Sequence, residues 1–302
     1  MDPIDDFNAL TIYDHSNQAP SEIYLNSMKW NKDHQVVLTF NEDGKSRQIS
    51  RVFTHWPEGV YDELRFEGKK LLSNERSKKG NGLDEAKRFL NSHLTGPPND
   101  TPTKLILIVY PDAPNMFENN FFRRDELDIY IVLQSTDEKE TDFDQLYTML
   151  EMFNRQSNLT IGCPKNLLNN HLLAPEPSPV IPKEFFLNPV VHSYRSVRVL
   201  CRNTIGSKFG TNNIKKLHLE QSDVTIDLLR QKIKLWLNLP EYQPIEWTVK
   251  LEGTADFGKL VSDIPPEVLK DVKIYVVKRR DNRSATVTVN TATNTVSFIL
   301  NV

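Results

Sequence analysis

Two cysteines, Cys163 and Cys201, and seven histidines bound the nucleophilic and metal chemistry open to this chain. Cys163 stands in Ile161-Gly162-Cys163-Pro164, with His171 and His192 downstream. A thiolate nucleophile needs a base and a third group that orients the base. No recognisable peptidase motif surrounds Cys163, and its segment is rich in proline, so no catalytic role is assigned to it. His15, His34, His55, His93, His171, His192 and His218 are scattered, with no pair at metal-ligand spacing. Ser77-Lys78-Lys79-Gly80-Asn81-Gly82 superficially suggests a phosphate loop. It lacks the Gly-x-x-x-x-Gly-Lys-Ser/Thr order and a strand leading into it, and reads as a surface loop. Asp125, Glu126 and Asp128 are close in sequence, yet alternate residues of an extended strand diverge, so they make no acid–base pair. No catalytic, cofactor-binding or metal-binding residue is predicted.

Composition narrows the function classes further. A length of 302 residues allows one large domain or two ordinary ones, and 38% hydrophobic with 25% charged residues suits a folded soluble protein. A formal charge of -3 argues against a chain built mainly to hold nucleic acid. No apolar run approaches the roughly 18 residues of a membrane helix, and the acidic start Met1-Asp2-Pro3-Ile4-Asp5-Asp6 lacks the layout of a signal peptide. Two cysteines are too few for a disulfide framework. The expected compartment is cytosol, nucleus or both.

The elements that must position any site divide the chain as α+β. Residues 1–20 are polar and read as a loose tail. From 21 to 157 the pattern predicts a mixed α+β domain. Ile23, Leu25 and Met28 suggest a first strand, and Val36, Leu38 and Phe40 alternate in a second. Asn41-Glu42-Asp43-Gly44 is a tight turn and residues 48–53 return as its partner, a meander. Ser73 to Gly82 is charged and glycine-punctuated, a loop. A short helix is expected over Asp84 to Leu94 with Ala86, Phe89 and Leu90 on one face, stopped by Gly96-Pro97-Pro98. Leu105 to Tyr110 is a continuous apolar run of strand length, and Leu127 to Leu133 is another strand. Phe143, Leu146, Tyr147, Leu150 and Phe153 form one apolar stripe on a helix over Asp142 to Arg155, with Thr141 as its cap. Residues 158–190 carry Pro164, Pro175, Pro177, Pro179, Pro182 and Pro189 and read as a semi-extended linker, whose Phe185, Phe186 and Leu187 can dock onto a domain.

The richest pattern lies in 191–302. Val197, Val199 and Cys201 face one way along a strand and Arg198, Leu200 and Arg202 the other. The loop Thr204 to Gly210 leads to a second strand, Ile214 to Leu219, with Leu217 and Leu219 in the inward phase. Ser222 or Asp223 can cap a helix whose Ile226, Leu229, Ile233 and Leu237 share a face. Leu239-Pro240 closes it. Val249 and Leu251 then belong to a third strand, and Ile274 and Val276 to a last one. Beyond it, Val287, Val289, Val296, Phe298 and Leu300 alternate with polar residues on either side of Thr291-Ala292-Thr293-Asn294, a hairpin with a four-residue loop.

Over residues 194–280 this ordered set, with Lys250-Leu251-Glu252-Gly253 and Leu260-Val261-Ser262-Asp263 in register, resembles ubiquitin. The resemblance implies a β-grasp fold followed by an extra hairpin, and a docking module in place of a catalyst. Ubiquitin's binding isoleucine aligns with Lys250 and its neighbouring histidine with Tyr275, while Val277 keeps the valine. No Gly-Gly follows Lys278-Arg279-Arg280, so no conjugated modifier is implied. The outward face is expected to show Arg198, Leu200, Arg202, Lys216, His218, Thr248, Lys250, Tyr275 and Val277. An aromatic and aliphatics ringed by cations suit protein docking. The expected function is a non-enzymatic adaptor or complex subunit that docks on ubiquitin–proteasome or chaperone machinery, with no nucleic acid, membrane span or cofactor. One rival is a β-grasp module similar to Ras-association domains, which would bind a small GTPase through Arg198, Arg202 and Lys216. Another is an enzyme whose site lies in 21–157.

Overall fold

The computed structural model describes residues 22–28, 33–42, 45–56, 59–66, 69–76, 82, 84–86, 88, 104–109, 128–133, 143–153, 155–162, 179–238, 246–252, 255–260, 267–269 and 271–301. The chain divides into two compact units, Met1–Ser157 and Asn158–Val302.

In the first unit, β1 (Glu22–Met28), β2 (Asp33–Glu42), β3 (Lys45–Trp56), β4 (Gly59–Phe66) and β5 (Lys69–Arg76) form an antiparallel meander. On the other side of β1, β6 (Lys104–Val109) and β7 (Asp128–Leu133) continue the sheet in parallel. Ser73–Arg76, expected in a loop, belong to β5, where Ser73 pairs with Glu63 and Asn74 with Asp62. The segment Lys69–Arg76 carries no period-two apolar signal because an outer strand needs none, and its charges discourage pairing with other chains. Helix α1 runs Phe143–Leu150, shorter than the stripe suggested. Its Leu146, Met149 and Leu150 are buried, as is Phe153 in the turn that follows. Ile129, Ile131 and Leu133 put one face of β7 in the same class. Of the helix expected from Asp84, the buried Ala86 is described; Phe89, Leu90, Thr141 and the turn at Asp43-Gly44 lie outside the described residues.

The second unit holds an eight-stranded mixed sheet in the order β8-β9-β10-β11-β15-β14-β13-β12. Strands β8 (Asn158–Gly162), β9 (Ser196–Val199), β10 (Lys216–Ser222) and β11 (Glu246–Leu251) run parallel to one another. Then β15 (Thr295–Asn301), β14 (Ser284–Asn290), β13 (Val272–Lys278) and β12 (Glu267–Leu269) follow, each antiparallel to its neighbour. The strand–turn–strand expected over 197–219 is therefore not a hairpin. Parallel neighbours need a crossover, and residues 200–215 supply it with a 3-10 helix at Gly206–Thr211. The hairpin at Thr291–Asn294 joins β14 to β15, and it lies inside the sheet because β15 also pairs with β11. Asn294 takes the left-handed φ of 58°, which asparagine tolerates well.

Of the segment expected as a linker, residues 158–162 and 179–190 are described, and both stretches carry regular structure. Residues 158–162 are β8, and Phe185 and Phe186 are fully buried in a 3-10 turn, with Leu187 alone of the three exposed. A short helix α2 (Pro189–His192) follows, capped by Asn188, whose side chain accepts from the Val190 amide at 2.9 Å.

Helix α3 (Ile226–Asn238) covers the inner face. Its buried stripe is Leu229, Lys232, Ile233 and Trp236, while Ile226 and Leu237 lie at the margins. The cap is neither Ser222 nor Asp223. The Thr225 hydroxyl accepts from the Leu228 amide at 3.4 Å, and Asp223 instead accepts from the Gly206 amide at 2.8 Å. The core is aromatic. Phe298 stacks on Trp247 at 5.6 Å and meets Trp236 edge-on at 5.3 Å, and Phe209 meets Trp247 edge-on at 5.6 Å. These contacts place α3 and the 206–211 turn on one face of the sheet and leave the other face outward.

Candidate protein-docking surface

Strand register decides which side chains share the outward face. His218 pairs with Arg198 and with Thr248, Thr248 with Ser297, and Ser297 with Thr288, so these stand in one row across five strands. Their neighbours in sequence, Val197, Leu217, Trp247, Phe298 and Val287, form the buried row beneath. Arg198, Arg202, Lys216 and Lys250 are exposed, and Leu200, His218 and Thr248 are half-buried.

Tyr275 and Val277 do not belong to this face. Tyr275 is 6% exposed and Val277 is fully buried, while Val276 is 48% exposed. The phase of β13 is thus opposite to the one that the resemblance to ubiquitin implies, and the two expected anchors are core residues. Ile274-Tyr275-Val276-Val277 is apolar in both phases, so alternation cannot choose between them. Pairing chooses: Tyr275 lies opposite Val287 and Val277 opposite Ala285, both inward residues of β14. Val276 is turned out beside Thr286, and Thr286 pairs with Ile299, also 48% exposed. Two aliphatic side chains therefore stand on the same face two strands apart, about 10 Å.

The cations are not free either. Lys216 pairs with Glu246 at 2.8 Å, Arg202 with Glu252 at 3.1 Å, and Glu220 bridges His218 at 3.1 Å and Lys250 at 3.3 Å. Arg198 is the member of the set without an ion pair among the described residues. Partial burial alone would raise the Glu220 carboxyl, but the His218 hydrogen bond and the Lys250 charge outweigh it and hold it below the usual range. The face expected to be basic is close to balanced, because Glu220, Glu246 and Glu252 answer Lys250, Lys216 and Arg202, three of its four exposed cations. Each acid follows the same alternation as its partner: Lys216 lies opposite Glu246 on the next parallel strand. Parallel pairing of β10 with β11 is what brings them together, and no local pattern announces it.

The other candidate chemistry stays dispersed. Cys201 is buried and unoxidised on the inward side, His192 donates from Nε2 to the Phe186 carbonyl at 2.6 Å, and Cys163 and His171 lie outside the described residues, as do Ser77–Asn81 and Asp125-Glu126. Among the described residues no three His, Cys, Asp or Glu gather where a metal ion could sit, and no helix is long and apolar enough to cross a membrane. No family model, no curated protein and no solved structure matches the chain.

Proposed function

We propose that the chain is a non-enzymatic adaptor or complex subunit that holds a protein partner on the outward face of its second sheet. The observation that carries this is the pair Val276 and Ile299, half exposed on one face of a hydroxyl-rich part of the sheet. Exposed aliphatics of that kind, next to a field of charges, have the make-up of an interface core with a polar rim. Leu200 adds apolar surface and Arg198 a cation that need not leave another partner to bind one. Lys216, Arg202 and Lys250 must first be released from Glu246, Glu252 and Glu220, which favours a partner offering both signs of charge over a purely acidic one.

The resemblance of 194–280 to ubiquitin supplies the partner class, a component of ubiquitin–proteasome or chaperone machinery. The parallel pairing of β9 with β10 and the phase of β13 depart from that resemblance, so the partner class rests on the residues alone. The test uses the full chain against purified proteasome, ligase and unfoldase subunits, with a panel of small GTPases alongside. Saturable binding to the first group, weakened at least tenfold by Val276→Asp with Ile299→Asp, supports the proposal. Binding confined to GTPases transfers the face to the Ras-association-like reading. Unchanged affinity in the double variant removes the face from the interface.

A further inference from the structure

Helix α3 turns one charged side chain into the core. Lys232 is 2% exposed and lies on the same stripe as Leu229, Ile233 and Trp236. Its Nζ donates to the carbonyl oxygens of Phe209 at 2.6 Å and Asn212 at 3.3 Å, and stands 4.6 Å from the centre of the Phe209 ring. Asn212 is itself fully buried. Its side chain donates to the Phe186 carbonyl at 2.9 Å and accepts from the Ile214 amide at 2.9 Å. The Phe186 carbonyl also takes the His192 hydrogen bond. A continuous polar chain thus runs from α3 through the 206–212 turn to the Phe185–His192 segment, among buried aromatic and aliphatic side chains.

No carboxylate faces Lys232 among the described residues. On its own helix the residues three and four positions away are Leu228, Leu229, Leu235 and Trp236. From the 206–212 turn come the two carbonyls and the Phe209 ring, with Lys208 pointing to solvent. The sheet contributes Trp247 behind Phe209, and the Phe185–His192 segment contributes His192 through the Phe186 carbonyl. A buried ammonium without a counter-ion is costly, and carbonyl dipoles and a ring face offset only part of that cost.

We infer that Lys232 is a protonation-sensitive clasp that fastens the 206–212 turn to α3 and, through Asn212, the Phe185–His192 segment, so that the two segments open together. Burial pushes the Lys232 amine down from 10.5 to about 7. An opened, hydrated Lys232 returns toward 10.5, so between about pH 7 and 10.5 the open form binds more protons than the closed one. Closure therefore strengthens as pH rises through that window, by at most about tenfold per pH unit, and loses its pH dependence below about 7, where both forms are protonated. The clasp is independent of what binds the outward face.

Hydrogen exchange of the full chain at about pH 7 and about pH 9, corrected for intrinsic rates, tests this. Protection of residues 206–212 and 185–192 should rise together, by roughly tenfold or more, while β14 and β15 stay level. Lys232→Met should remove the pH dependence from both segments. A response confined to 206–212 overturns the coupling, and a pH-independent wild type or a pH-dependent Lys232→Met overturns the clasp. Should Lys232→Met fail to fold, carbon-13 NMR of the wild-type lysines decides the matter. A Lys232 resonance titrating near 7 supports the clasp, and one titrating near its ordinary value overturns it.

Discussion

The outward face of the second sheet has two halves that share one core and differ in almost everything else. Across β9, β10 and β11 the strands are parallel, and the exposed side chains are charges that, Arg198 apart, are already answered by their neighbours. Across β15, β14 and β13 they are antiparallel, and the outward side chains are Thr, Ser and Asn around Val276 and Ile299, with the exposed Lys278 at the end of β13. The first half meets its own electrostatic needs, and exposed pairs of that kind contribute about 0–1 kcal/mol each. The second half leaves Val276 and Ile299 about half exposed. A charged strand face is thus a poor guide to where a partner binds, since its charges can be complementary to each other.

The comparison breaks first at its shared foundation. Phe298 lies on β15 opposite both Trp247 and Val287, beneath the junction of the two halves. Phe298→Ala should cost about 3–5 kcal/mol, and chemical denaturation should show both halves unfolding in one transition. Two separate transitions would mean that the halves are independent.

For partner binding the expected order is unequal. Val276→Asp with Ile299→Asp should weaken binding at least tenfold, about 1.4 kcal/mol or more, and leave melting temperature nearly unchanged. Arg198→Gln with Lys250→Gln should change affinity less than this and alter mainly the association rate and its salt dependence. Titrations at two ionic strengths measure both. A larger loss from the charge variants would place the interface on the parallel half.

The two halves also differ in acid sensitivity. In the turn between β13 and β14 the Arg279 guanidinium binds Asp281 through both carboxylate oxygens, lies over the Trp236 ring and reaches the Trp236 carbonyl. The Arg279 hydrogen bonds hold the Asp281 carboxyl at about 2, below its usual 3.8. Its contribution is therefore present above about pH 4 and lost as pH falls toward 2. Melting curves between those values should drop more steeply for the wild type than for Asp281→Asn, and parallel curves would sink the assignment. Glu220→Gln should give the same sign with the smallest effect, because Glu220 is partly solvated and its partner Lys250 is exposed.

What could be read beforehand follows a physical rule. Alternation gave the inward residues of β9, β10, β11, β14 and β15 and the hairpin at Thr291–Asn294, because side-chain direction repeats every two residues whatever the strand pairs with. Helix periodicity located α3 but misplaced its stripe, since Lys232 scores as polar and Trp236 was passed over in favour of Leu237. Residues 179–190 read as part of a linker because their prolines were visible, while the burial of Phe185 and Phe186 depends on residues far along the chain, Asn212 among them. Glu220, Glu246 and Glu252 were missed as part of the face because Lys250, Lys216 and Arg202, which they meet, lie far from them in sequence.

By itself the sequence determined which short stretches alternate, where helix α3 and the last hairpin lie, and that the two cysteines and seven histidines form no recognisable motif. Only the tertiary structure decided that β9, β10 and β11 run parallel, that Tyr275 points in and Val276 out, and that a lysine could be buried on two carbonyls. The reason is range. Period and propensity act over a few residues, whereas strand direction, the phase of an all-apolar strand and the cost of burying a charge are fixed by neighbours that the chain brings together only on folding.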